Sequence, residues 1–232
     1  MMENHAYSGI IGNAAAPYIN ALAATGALFT DSHAISHPSL PNYLAIFSGS
    51  TQGVTDDGCS YLFSGPNLAS ELIAHGYTFG GYAENLPSSG GRSCNTGLYG
   101  QRHVPEAYFT NTPPVVNYAG SLPGIMPTVM FLTPNICDDM HDCSVAHGDA
   151  WLASNVPQIL AYDALHNGLL ILTWDEDDHY SGNHVATIFV GPMVTAGTFS
   201  QSIDHYSVLR TITDNYGLPV LNSTSGISGV WH

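Results

Sequence analysis

Directly after the apolar run 169–174 the chain reads Asp175-Glu176-Asp177-Asp178. Four successive carboxylates at the end of a strand repel one another unless a cation neutralises some of them, and oxygen donors of this kind suit a hard divalent ion. Read alone, the segment is equally well a solvated acidic turn. Glu3-Asn4 sets a carboxylate beside an amide oxygen, a pairing that suits the same kind of metal. In His37-Pro38-Ser39-Leu40-Pro41-Asn42-Tyr43, Ser39 stands at the mouth of an expected helix, where backbone N–H groups favour an anion. That placement suits a nucleophile receiving a phosphoryl group, with Asn42 one turn on able to donate to a phosphate oxygen; a capping serine is the ordinary alternative. Asp138-Asp139-Met140-His141-Asp142 surrounds a histidine with carboxylates, which makes His141 a candidate proton donor or anion-binding group at mildly acidic pH. His103 and His205 are similar candidates with less local support.

Motifs for other chemistries are missing from the sequence. It has no G-x-S-x-G elbow, no Walker A loop, no G-x-G-x-x-G fingerprint and no H-E-x-x-H. His33 and His37 stand four apart without the glutamate, so they read as loop or strand-end histidines.

The elements that must position these residues follow from apolar patterning. Helices are expected over 14–27, 41–48, 66–75, 149–162 and 205–216, and strands over 27–35, 77–82, 128–132, 169–174 and 185–190. Strands apolar on both faces and alternating with helices indicate a largely parallel sheet covered on both sides. The expected fold class is therefore α/β: a three-layer α/β/α sandwich with a largely parallel central sheet. At roughly 150 residues per domain, a 232-residue chain without linker or repeat reads as a single domain over 1–232. Polar residues crowd the carboxyl ends of its strands, where open α/β sheets bind ligands.

Composition narrows the partners. With 18 acidic residues, a formal net charge of −15 and only Arg92, Arg102 and Arg210 as cations, no basic stripe is available for nucleic acid. No apolar run approaches membrane-spanning length. An anionic substrate must then find positive potential in local features. The four cysteines carry no zinc-finger spacing. Cys137 and Cys143 are close enough to close a small loop, which leaves Cys59 with Cys94, and two disulfides fit an exported protein, extracellular or periplasmic. No charged or apolar leader is visible at the start, so export rests on composition and cysteine count.

Taken in order, M-M-E-N-H-A-Y-S, H-P-S-L-P-N-Y-L-A-I-F-S-G-S-T-Q-G-V-T-D-D, P-N-I-C-D-D-M-H-D-C, G-D-A-W-L, T-W-D-E-D-D, I-F-V-G-P and H-Y-S-V-L-R-T-I closely resemble the bacterial phosphoesterase family of acid phosphatases and non-haemolytic phospholipases C, within the alkaline phosphatase superfamily. The resemblance implies an alkaline phosphatase-like fold and one divalent metal ion held by Glu3, Asn4, Ser39, Asp175 and Glu176. It implies that Ser39 is the nucleophile, that Asn42 contacts phosphate, and that His141 and His103 stand near the phosphate and leaving group. His205 falls in a segment characteristic of the family and is taken as substrate-binding. Family members carry an apolar strand immediately before the Glu-Asn pair. Here only Met1 and Met2 precede it, so the usual first strand is expected to be missing and Glu3 and Asn4 to hang from a frayed terminus. The family's Lys-His-Asn-Pro appears as Arg102-His103-Val104-Pro105.

The implied activity is a metal-dependent acid phosphatase that hydrolyses small phosphate monoesters through a phosphoserine. An acidic optimum is expected if His141 and His103 need their protons. The alternatives are a phosphodiesterase or phospholipase C of the same family and a non-catalytic secreted binding protein.

Overall fold

The computed structural model describes residues 1–88 and 90–231. Its helices are α1 (Tyr7–Ile10), α2 (Pro17–Thr25), α3 (Ser39–Ser48), α4 (Leu68–Ala74), α5 (Val145–His166) and α6 (His205–Asn215). Its strands are β1 (Ala27–His33), β2 (Phe79–Glu84), β3 (Val116–Tyr118), β4 (Val129–Thr133), β5 (Leu170–Thr173), β6 (Thr187–Val190) and β7 (Gly197–Asp204). They form a four-stranded sheet, β5-β6-β1-β7, and a three-stranded one, β3-β2-β4.

The α/β class is as expected, whereas the single largely parallel sheet is not. The three-stranded sheet is parallel throughout. In the other, β1 pairs in parallel with β7 but antiparallel with β6, and β5 is antiparallel to β6. The physical reason is the connection between β5 and β6. It carries the acidic run and no helix, so the chain doubles back, whereas a parallel neighbour requires a crossover, usually helical.

Helix α3 is the element on which the site is built. All ten of its residues are buried, and it ends where Gly49 turns left-handed at φ +73° and donates to Ala45 O. A side chain at position 49 would meet Leu221 O at 2.4 Å, so a glycine is required there on two counts. Leu40, Leu44 and Phe47 pack with Leu68, Phe79 and Phe109. The Phe47 ring lies 5.5 Å from each of Phe79, Phe109 and Phe131, and truncating a ring so enclosed costs about 3–5 kcal/mol. A second helix, α6, starts from a capping box between Asp204 and Ser207.

The amino terminus is pinned, contrary to the frayed end expected. Met2 N donates to Thr173 O at 2.8 Å and Asp175 N donates to Met2 O at 3.0 Å, which makes a parallel bridge between Met2 and Trp174. Met2 and Glu3 are both buried. Beside this bridge a cavity of about 930 Å³ lies between β4 and β5, the edge strands of the two sheets. Both disulfides are formed, Cys59–Cys94 and Cys137–Cys143. Among the described residues no helix is long and apolar enough to cross a membrane.

Candidate active site

Ser39 opens α3, and its buried Oγ donates to Glu3 Oε2 at 3.0 Å. Glu3 is delivered there by the Met2 bridge and fixed by Glu3 N donating to Asp139 O at 2.8 Å. Tyr43, one helical turn after Ser39, donates its hydroxyl to Glu3 Oε1. Asn4, left-handed at φ 51°, turns its N–H onto Asp175 Oδ1 at 3.1 Å. Asparagine tolerates that backbone better than most residues.

The five oxygen-bearing residues Glu3, Asn4, Ser39, Asp175 and Glu176 therefore come together, although the sequence separates them into three segments. Burial, then the charges of Asp175 and Asp139, hold the Glu3 carboxyl well above its ordinary range. Burial raises Asp175 to about 7. Burial, then neighbouring Asp175, Asp57 and Asp177, raises Glu176 to about 9. Three buried carboxyl groups so placed share protons or take a cation. Asn4 Oδ1 and Asp175 Oδ2 are buried without a hydrogen-bond partner in the protein, an arrangement suited to oxygen ligands of a hard divalent ion.

Two histidines complete one wall. His103 is buried, with Nδ1 2.8 Å from Asp139 Oδ2 and Nε2 3.4 Å from Glu3 Oε2. It stacks on Tyr43 with ring centres 5.4 Å apart. Burial, followed by the charges of Arg102 and His141, holds its pKa well below the ordinary value. Burial thus disfavours the imidazolium, and a neutral ring would donate Nδ1–H to Asp139 and leave Nε2 as a lone pair. This departs from the expectation that His103 works as a proton-bearing group. His141 sits at the rim, with Nδ1 2.6 Å from Asp142 Oδ1 and Nε2 3.1 Å from Arg102 Nη2. Ligand atoms of Glu3, His103 and His141 lie within 4.8 Å of one another.

The remaining candidates have more structural surroundings. Asn42 Oδ1 accepts from the N–H groups of Ile35 and Ser36, and Nδ2 donates to Ser36 O at 2.8 Å and reaches Glu176 Oε2 at 3.5 Å. It staples the loop that leads from β1 to Ser39. His205 is buried at the start of α6, where Nε2 donates to Asp175 O at 2.7 Å, so it supports the Asp175 segment from behind. The expected anion seat at the mouth of α3 is partly taken, because Leu40 N donates to Asp57 Oδ1 at 2.9 Å.

Sequence reading missed several neighbours. Tyr43 carried a usable signal, its i+4 spacing from Ser39. Asp57, Asp139 and Arg102 fall in segments that carry the family resemblance, but their contacts in the site come from long-range packing. A second group, His37, Glu176 and His179, lies beside the cage. His37 Nδ1 lies 2.8 Å from Glu176 Oε2 and Nε2 3.2 Å from Asp177 Oδ1, and the ring stacks on His179 at 4.0 Å, although Nδ1 makes no hydrogen bond.

Similarity to known proteins agrees with this geometry. The chain is 45% identical over 225 residues to a phosphatidylinositol-3-phosphatase of Mycobacterium tuberculosis, covering 94% of this chain and 75% of that protein. It is 29% identical over 225 residues to an acid phosphatase of Aspergillus fumigatus, covering 86% of this chain but only 50% of the relative. Among solved structures, a protein of the alkaline phosphatase superfamily from Vibrio parahaemolyticus superposes with a TM-score of 0.67 at 11% identity, over 95% of this chain and 67% of that one. A phosphonate monoester hydrolase of Agrobacterium radiobacter gives 0.57 at 13%, over 100% and 77%. At such identities the likeness is one of fold. The model of the Phosphoesterase family matches residues 3–219, a span that contains every residue of the oxygen cage, and the chain belongs to that family.

Proposed function

We propose that the chain is a metal-dependent phosphomonoesterase of the acid phosphatase type, working through a phosphoserine at Ser39. The observation that carries this reading is the contact of Ser39 Oγ with Glu3 inside a buried cage of carboxylates that, among the described residues, no Lys or Arg pairs with and only histidines approach. Glu3, Asn4, Ser39, Asp175 and Glu176 would hold one divalent ion. Once bound, such an ion lowers the pKa of a serine hydroxyl and offsets charge on the non-bridging phosphate oxygens.

The protein's own groups supply the rest. Ser39 Oγ attacks phosphorus as the bond to the leaving group breaks, and its proton already points at Glu3 Oε2. Asp139 fixes His103 with its Nε2 lone pair turned into the site, where it can accept a proton from the water that later cleaves the phosphoserine. His141 lies at the rim, within reach of a departing oxygen. The mycobacterial relative is named for removing a phosphate monoester, which supports monoesters over diesters as substrates. The three-layer α/β/α arrangement belongs to the same reading and is supported by the superfamily neighbours. Two disulfides support export to an oxidising compartment.

The deciding experiment is hydrolysis of p-nitrophenyl phosphate and bis-p-nitrophenyl phosphate by chelated protein, with divalent ions added back, beside Ser39→Ala. Activity that returns with metal, prefers the monoester and vanishes in the variant is expected. Diester preference would reassign the chain to phosphodiesterase or phospholipase C chemistry, and full activity in Ser39→Ala or in chelator would overturn the mechanism.

A further inference from the structure

Two of the three cations are committed to architecture. Arg92 donates to Ala107 O at 3.0 Å and Phe109 O at 2.8 Å, and Arg210 pairs with Asp214 at 2.6 Å. Arg102 differs from both. Among the described residues it forms no ion pair with a carboxylate, although the chain holds 18 of them, and its Nη2 rests 3.1 Å from His141 Nε2.

That contact fixes the state of both side chains. A guanidinium can only donate, so His141 Nε2 must accept, and Nδ1 carries the ring proton toward Asp142 Oδ1. In this contact the Nε2 lone pair of His141 is in use. Protonating it at Nε2 would set two positive charges 3.1 Å apart. While Arg102 stands there, the positive potential at this wall belongs to Arg102 and not to His141.

Placement and rigidity suit a ligand anion. His141 is within 4.8 Å of Glu3 and His103, and Glu3 touches the nucleophile. The single turn Gln101–His103 that carries Arg102 is tied down on both sides: Gln101 accepts from Cys94 N at 2.8 Å and donates to Cys59 O at 3.2 Å, next to the disulfide between those cysteines. A side chain at Gly100 would press on Ile136 at 3.0 Å and stand in ordinary contact with Arg102 Nη1 at 3.6 Å. Arginine's planar fork matches two phosphate oxygens at once.

We propose that Arg102 is the substrate-binding cation for the phosphoryl group, parked on His141 Nε2 until phosphate oxygens take over its N–H groups. The proposal rests on the phosphomonoesterase reading and goes beyond it by naming the side chain that supplies phosphate affinity.

Inorganic phosphate is the probe. Its binding to metal-loaded protein is measured by calorimetry, and its competitive inhibition of p-nitrophenyl phosphate turnover by kinetics, for wild type, Arg102→Ala and Arg102→Lys. Arg102→Ala is expected to weaken phosphate binding and raise KM by about 10- to 100-fold, the loss of a charge-assisted hydrogen-bonding pair. Arg102→Lys should fall between the two, and added guanidinium should restore part of the loss. Unchanged phosphate affinity in a folded Arg102→Ala with active wild type overturns this inference alone. A loss that guanidinium does not rescue, or that accompanies a lowered Tm in both variants, assigns Arg102 a structural role and overturns it too. A wild type that neither hydrolyses the ester nor binds phosphate removes the phosphomonoesterase reading and this proposal with it.

Discussion

Ser39 Oγ lies 3.0 Å from Glu3 Oε2, so the first turn of α3 meets a residue delivered by the end of β5. The meeting follows from topology. β1 runs into the loop that Asn42 gathers ahead of Ser39, and β5 ends where Met2 pairs with the Thr173–Asp175 backbone. Oxygen-bearing residues thus arrive at the carboxyl ends of β1 and β5, which flank β6 and run in the same direction, the general place for a ligand in an open α/β sheet.

Tyr43 is the first place to test the cage. Its hydroxyl hydrogen bond favours the ionised form of Glu3 against the burial that opposes it. Tyr43→Phe leaves Glu3 Oε1 without that donor, so a proton competes better with a metal ion. Metal affinity is expected to fall by about 10-fold or more, as for other supports of metal ligands. Calorimetric metal titration checks this, and kcat at saturating metal should stay within a few fold. Unchanged metal affinity would separate Glu3 from the metal site.

Asp139→Asn tests the role of His103. The carboxylate accepts from His103 Nδ1 through Oδ2 and from His141 N through Oδ1, both at 2.8 Å. An amide can present N–H to Nδ1 and so move the ring proton to Nε2, abolishing the lone pair that faces the site. A loss of kcat of at least about 10-fold with little change in KM is expected, the pattern of a misplaced tautomer. Steady-state kinetics on a folded variant decide it, and a wild-type kcat removes His103 from proton transfer.

Much of this was readable from residue types. The run 175–178 pointed equally to a cation and to a solvated acidic turn, and the run of α3 was marked by its apolar residues and by proline near its start. What could not be read was long range. Strands β3 and β7 escaped notice because their exposed positions break the apolar pattern, as in Gly197–Asp204 with its polar Thr, Ser and Gln. Asp57 and Arg102 lie in segments that carry the resemblance, on loops the expected Cys59–Cys94 bridge joins, yet their contacts with Leu40 N and His141 could not be read. The lowered pKa of His103 follows from burial, which a short motif does not disclose.

Glu106 predicts a pH-dependent stability unrelated to the metal. It is 1% exposed, and neither carboxylate oxygen has a hydrogen-bond partner. Burial raises its pKa from the ordinary 4.5 to about 7. Between those values the folded protein keeps a proton that the unfolded chain has lost, so stability falls as pH rises from 4.5 through 7. The total contribution is about 3 kcal/mol. Glu106→Gln should match wild type near pH 4 and exceed its Tm at pH 8. Glu84, raised to about 7, and Asp163, raised to about 6, titrate in the same window, so the difference between the two Tm–pH curves is the quantity to read. Parallel curves would mean that Glu106 is solvated.

The cavity between the sheets makes the last prediction. Residues 129–133 and 169–173 all line it. Successive strand residues point to opposite faces, so a cavity touched by all of them abuts the strand edges rather than a face. β4 and β5 therefore present unpaired edges to one slot of about 930 Å³. Helices line it too, through Val156 and Ile159 of α5 and Val208 and Ile212 of α6. Met2 already forms one rung beside β5, and the Met1 amine is buried, with its pKa lowered by that burial. An extended Val/Ile segment of about five residues joined ahead of Met1 should continue that rung as a strand parallel to β5 and replace the buried amine with an amide. Each apolar side chain so buried gains about 1.5–3 kcal/mol, against roughly 1–2 kcal/mol per residue for ordering the backbone. A Gly/Ser segment of equal length has the entropy cost without the gain. The Val/Ile fusion alone is expected to raise Tm and slow amide exchange at positions 130, 132 and 170–172. Equal Tm for both fusions would show that the two edges do not accept a strand between them.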